Sequence, residues 1–106
     1  MIALSKLESW YVDQCDGHWE HTYGVKIETL DNPGWNLTID LAGTELEGKS
    51  FARQSFGMDN NEGDNRWLFC EVSGDKFSGG AGPRQLNELI DVFVQWSEQC
   101  NLDANA

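Results

Sequence analysis

The hydrophobic pattern changes period twice along this chain. Near the N-terminus Leu4, Leu7, Tyr11 and Gln14 share one stripe with Trp10 beside it, a spacing close to 3.6 that predicts a helix. Ser5-Lys6-Leu7-Glu8 reads as its capping box, the Ser5 hydroxyl accepting from the Glu8 amide. Gly17 is the expected stop, because glycine takes the left-handed conformation past a last turn at little cost. From Tyr23 the period drops to two. Tyr23, Val25, Ile27 and Thr29 face one way and Lys26 and Glu28 the other. Asn32-Pro33-Gly34-Trp35 fits a type II turn, with Gly34 at positive φ, and Trp35, Leu37, Ile39 and Leu41 then alternate with Asn36, Thr38, Asp40 and Ala42. This predicts a β-hairpin with one buried face.

Ser50 to Phe56 and Arg66 to Ser73 read as third and fourth strands, separated by the polar, turn-rich segment Met58 to Asn65. Gly79 to Gly82 reads as a crossing into a final helix opened by Pro83. In that helix Leu86, Leu89, Ile90, Phe93, Trp96 and Cys100 recur at helical spacing. The expected fold class is α+β: a four-stranded antiparallel meander with an N-terminal and a C-terminal helix packed on one face. Residues 1–100 form one domain, and 101–106 form a flexible tail too poor in apolar residues to dock.

Composition narrows the function classes. The chain has 106 residues, 40% of them hydrophobic, enough to bury a core and too apolar for disorder. Eighteen acids against seven bases give a net charge of −11. That charge repels phosphate backbones and argues against nucleic acid, while favouring a basic protein partner. No apolar run approaches a membrane span, and no export signal is visible. Three cysteines without framework spacing fit free thiols in a reducing compartment, so the expected location is the cytoplasm.

Candidate chemistry is sparse. Cys15, His18 and His21 are zinc-ligand types at short spacing, but no fourth ligand lies nearby in sequence, and no metal or cofactor is assigned. Cys70 falls within an alternating apolar strand, where a thiol is inert and its pKa raised. Ser78 to Gly82 lacks the Gly-Lys-Ser/Thr ending of a phosphate loop. No catalytic residue is assigned and the chain is not expected to be an enzyme. The alternatives are a small metal protein or enzyme centred on Cys15, His18 and His21, or an acidic adaptor.

Two blocks carry a resemblance. Trp10 to Trp35, WYVDQCDGHWEHTYGVKIETLDNPGW, combines three tryptophans, a Trp-Glu-His triplet and an Asn-Pro-Gly-Trp turn. Trp67-Leu-Phe-Cys-Glu-Val72, Phe77 to Pro83 and the helix to Trp96 make up the second block. Together they resemble the bacterial immunity protein 53 family, small proteins linked to polymorphic toxin systems. The resemblance covers roughly Leu7 to Trp96 and implies a non-catalytic inhibitor that shields its own cell from a cognate toxin. The acidity points to a toxin with a basic surface, and the chain is expected to be a monomer or weak homodimer. Asp16, Trp19, Glu20, Asp31, Trp35, Asp40, Glu45 and Glu47 are the candidate toxin-binding residues. For Trp19 and Glu20 a second reading stands beside this one: a knot with Trp19 in the core and Glu20 bonded to amides of the Asp31–Gly34 turn. Asp31, Asp40 and Glu45 are expected to be exposed acids whose reversal leaves the fold intact.

Overall fold

Leu37, Ile39 and Leu41, the alternating apolar positions of the hairpin's second strand, are fully buried, and the rest of the molecule is assembled over them. The computed structural model describes residues 2–57 and 66–104. The order is α1 (Ile2–Gln14), α2 (Trp19–Thr22), β1 (Val25–Leu30), β2 (Gly34–Asp40), β3 (Gln54–Phe56), β4 (Leu68–Ser73), β5 (Lys76–Ala81) and α3 (Leu86–Ala104). The class is α+β, with the N- and C-terminal helices packed on an antiparallel sheet, as the periodicity predicts. The sheet has five strands rather than four, in the order β1-β2-β5-β4-β3, so it is not a sequential meander.

The missed strand is β5. Its Gly79 and Gly80 read as loop residues in sequence, yet β5 lies at the centre of the sheet and pairs on both sides. The glycines are there for close approach. A Cβ on Gly79 would sit 2.6 Å from Leu89 Cδ1 of α3, and one on Gly80 would sit 3.1 Å from the Trp67 ring on the opposite face. The Ser78–Gly82 segment is therefore mostly ladder and not a crossing.

Several boundaries shift for similar packing reasons. α1 begins at Ile2, which places Ser5 and Glu8 inside the helix, and the capping box does not form. The helix starts earlier because Ala3, Leu7 and Trp10 form the buried stripe, while Leu4 and Tyr11 are only part-covered. Gly17 does take positive φ, +92°, but three residues after α1 has ended at Gln14 and two after Cys15 has closed the last turn. The turn after β1 is not type II: the Asn32–Pro33 bond is cis and Gly34 has no positive φ. Gly34 is instead a ladder residue opposite Leu30, and a Cβ there would lie 2.5 Å from the Ala81 carbonyl oxygen. The third strand shrinks to Gln54–Phe56. Pro83 sits in a turn ahead of α3, whose first bond runs from the Leu89 amide to the Gln85 carbonyl. α3 continues to Ala104, past the expected domain limit at residue 100, with Leu102 exposed. Met58 to Asn65 and residues 105–106 lie outside the described residues.

The core is strongly aromatic. Trp19 packs edge-on against Trp10, Trp10 against Phe93, Phe93 against Phe77, and Phe77 against Phe51, with ring centroids 5.0–6.1 Å apart. This chain of rings joins α2, α1, α3, β5 and the β2–β3 connection. Phe93 is fully buried and Trp96 half-buried.

Candidate functional site

Four indole N–H groups hold carbonyl or carboxylate oxygens far away in sequence. Trp10 donates to Glu45 Oε1 at 2.9 Å, Trp19 to the Ala42 carbonyl at 2.8 Å, Trp96 to the Ser50 carbonyl at 2.9 Å and Trp35 to the Pro83 carbonyl at 3.0 Å. The first three all land on the connection between β2 and β3. That segment has no regular strand or helix, but it is pinned at residues 42, 45 and 50 and anchored by buried Leu41 and Leu46. Thr44 tightens it further, accepting from the Leu46 amide and donating to the Leu41 carbonyl. Such a loop displays its outward side chains in one fixed arrangement, as binding loops on rigid scaffolds do.

Glu45 and Glu47 lie on this loop. Glu45 lines a cleft of about 630 Å3 between α1 and α3, together with Ser9, Trp10, Asp13, Ser97 and Glu98. Lys6, also on the cleft, pairs with Glu98 at 3.1 Å, which leaves the Asp13 and Glu45 side without a lysine or arginine among the lining residues. Ser97 is 6% exposed, lines the same cleft, and has no hydrogen-bond partner for its hydroxyl among the described residues.

Asp16 and Glu20 stand close by in chain, beyond the C-terminus of α1, and both brace the backbone of the connection between α1 and α2. Asp16 Oδ1 accepts the amides of Trp19 and His18, both at 2.9 Å. Glu20 accepts from the amides of Asp16 at 3.0 Å and Gly17 at 2.9 Å. Amide donation from Trp19, then His18, lowers the Asp16 pKa below its ordinary value. The Glu20 pKa is lowered by its own amide first, then by the amides of Asp16 and Gly17 against the cost of burial. The expected knot is thus present in altered form. Trp19 is in the core, but Glu20 closes its own loop rather than the Asp31–Gly34 turn, because its carboxylate is already filled by amides three and four residues back.

The other candidate positions are dispersed. Trp19 is only 6% exposed, and its ring lies against Gly43. Trp35 is half-buried at the far end of the hairpin, and Asp31 is exposed in the turn beside it. The length of β1 separates that turn from α2 by about 20 Å. Asp40 lies on the sheet face away from the helices, accepting from the Gly24 amide at 3.0 Å and from Lys76 Nζ. Burial works to raise its pKa, but the Lys76 and Gly24 hydrogen bonds and the nearby charges of Lys76 and Lys26 lower it overall. Asp40 is therefore not a free acid, and its reversal would disturb the fold. The structure gathers Asp16, Trp19, Glu20, Glu45 and Glu47 around the Trp10–Trp19 pair and leaves Asp31, Trp35 and Asp40 elsewhere.

Ser97 and Glu98 were not singled out in sequence, whereas Asp13 stood out there only as one of the acids dense in the first half of the chain. Its place on the cleft follows from lying three residues after Trp10, on the same side of α1. Among the described residues, no group of three or more His, Cys, Asp or Glu side chains is placed to hold a metal ion, so Cys15, His18 and His21 do not converge. No helix among them is long and apolar enough to cross a membrane. The Cys70 thiol is buried, and burial pushes its pKa up to about 12.

The family profile described as immunity protein 53 matches residues 4–98, nearly the whole chain. No curated protein and no solved structure matches it.

Proposed function

The chain belongs to the immunity protein 53 family, and from that premise we propose that it neutralises a cognate bacterial toxin by binding it in the producing cell's cytoplasm, without catalysis. The observation that carries the reading is the rigid acidic surface at the α1–α3 cleft. Glu45 and Glu47 are held on a loop pinned by three tryptophans, and Asp13 faces the same cleft. Asp16 and Glu20 extend the surface past the end of α1.

This arrangement suits a basic toxin surface. Preordered carboxylates lose little side-chain entropy on binding, and a one-signed surface speeds encounter with an opposite one. An incoming lysine or arginine would meet Glu45, Asp13 and the free Ser97 hydroxyl together, so its charge and its donors are both satisfied. Trp19, Trp35 and Asp40 serve this reading as scaffold. Asp31, at the distant turn, belongs to a separate contact if it contributes.

The test is inhibition of the toxin encoded beside this gene. The parent protein should abolish toxin activity at stoichiometric amounts, and its association rate should fall as salt rises. An Asp13→Asn, Glu45→Gln, Glu47→Gln variant should fold normally but associate more slowly and lose most of its salt dependence. Equal inhibition and equal salt dependence in parent and variant would remove the cleft from the interface.

A further inference from the structure

Among the described residues, β1 is the one long open edge of the sheet. The opposite edge strand, β3, is three residues long, whereas β1 runs for six and carries no proline. Natural edge strands are blunted by shortness, proline, a covering element or charges pointing inward. Here the helix-side residues Val25, Ile27 and Thr29 carry no charge, and Ile27 is 38% exposed although its partner Leu37 is fully buried. Beside it, part-exposed Leu4 and Tyr11 of α1 border an apolar groove of about 320 Å3 that Val25 and Ile27 also line. This groove and the acidic cleft lie on opposite flanks of α1.

The strand's polar groups have a fixed direction. The Gly24 carbonyl accepts the Asp40 amide at 3.0 Å, so Gly24 points its backbone toward β2. Alternation along an antiparallel ladder then turns Lys26, Glu28 and Leu30 toward β2 as well, and leaves the amides and carbonyls of Val25, Ile27 and Thr29 facing outward. An added strand must bond to those three residues.

We propose that this edge pairs with the same edge of a second copy, antiparallel and centred on Ile27, to give a two-fold symmetric dimer with a continuous sheet. In that register Ile27 bonds Ile27 across the axis, Val25 bonds Thr29, and Lys26 of each copy stands opposite Glu28 of the other in the close, non-hydrogen-bonded positions. Sliding the register by two residues sets Lys26 against Lys26 in one direction and Glu28 against Glu28 in the other. Sliding it by one residue mismatches the outward polar groups and turns apolar side chains to the wrong face. Only the Ile27-centred register therefore satisfies the backbone and both charges at once. It also places each copy's apolar groove beside the other's Val25 and Ile27. An isologous contact of this kind closes on itself and stops at two copies. Both acidic cleft surfaces remain open, and the proposal does not depend on the toxin reading.

Sedimentation of the full chain over a range of concentrations tests this. The parent should pass from monomer to dimer and no further. Lys26→Glu and Glu28→Lys each replace two attractive cross-strand pairs with repulsive ones, and each should weaken dimerisation about tenfold or more. An equal mixture of the two variants restores complementarity at both pairs, so a heterodimer should form where neither variant self-associates. Circular dichroism melts establish that each variant is folded. A parent monomeric at every concentration, a dimer indifferent to either reversal, folded variants that do not combine, or open-ended oligomers would each overturn the proposal. So would a β1 edge that pairs only with a strand of the toxin.

Discussion

Trp10 donates its indole N–H to Glu45, 35 positions away, and so ties the buried face of α1 to the loop between β2 and β3 that carries Glu45 and Glu47. The bond joins core and candidate interface in one contact. Glu45→Ala removes the acceptor and leaves the indole unsatisfied, which should cost about 1 kcal/mol or somewhat more. Glu45→Gln keeps an oxygen acceptor and should be close to neutral for stability. Urea unfolding of the two variants makes the comparison, and equal losses would mean that the bond does not hold the loop.

Gly79→Ala should destabilise the protein by about 1–3 kcal/mol, because the new methyl group meets Leu89 Cδ1 at 2.6 Å in a filled core. Leu89→Val in the same chain should recover part of that loss by withdrawing the clashing methyl. Thermal melts of the single and double variants decide. A Gly79→Ala protein as stable as the parent would contradict the packing described for β5.

That glycine also marks where the sequence stopped being legible. The alternation Leu37, Ile39, Leu41 and the helical repeat Leu89, Ile90, Phe93 announce β2 and α3, because in each case one face is buried and the spacing records it. β5 hides because its central positions must lack side chains, so a central strand reads as a loop. Gly34 misleads in the same way, being needed for contact with Ala81 rather than for turn geometry. At the candidate site the acidic character was plain, but the division of labour was not. Asp16 and Glu20 share loop bracing with display, Asp40 is committed to Gly24 and Lys76, and Asp13 joins the cleft only through α1's orientation.

Asp16, Glu20 and Asp40 all have folded-state pKa values below their ordinary ones. A depressed carboxylate contributes stability that is complete above its unfolded pKa and is lost as pH falls through the folded pKa. Groups of this kind leave the melting temperature unchanged from neutrality down to about pH 5 and lower it below about pH 4. Asp16→Asn and Glu20→Gln should lower stability at neutral pH and flatten this acid limb. Melting temperature against pH provides the check, and an acid limb as steep as the parent's would exclude these two residues as its source.

The Cys70 thiol, buried and with its pKa pushed up to about 12, should resist alkylation in the native protein. Cys15 and Cys100 are partly exposed and should react first. Peptide mass spectrometry after timed labelling would show Cys70 modified only once the protein unfolds. Native-state labelling of Cys70 at the rate of Cys15 would contradict a closed core beneath α3.

Titration of the purified chain into the toxin encoded beside its gene, following toxin activity and complex formation in the same samples, tests the central claim most directly. Toxin activity should fall in proportion to the complex formed and reach zero at a fixed stoichiometry, with no change to the toxin's covalent structure. A toxin that stays fully active in the presence of excess folded protein, or one that is inactivated by sub-stoichiometric amounts through covalent change, would contradict it.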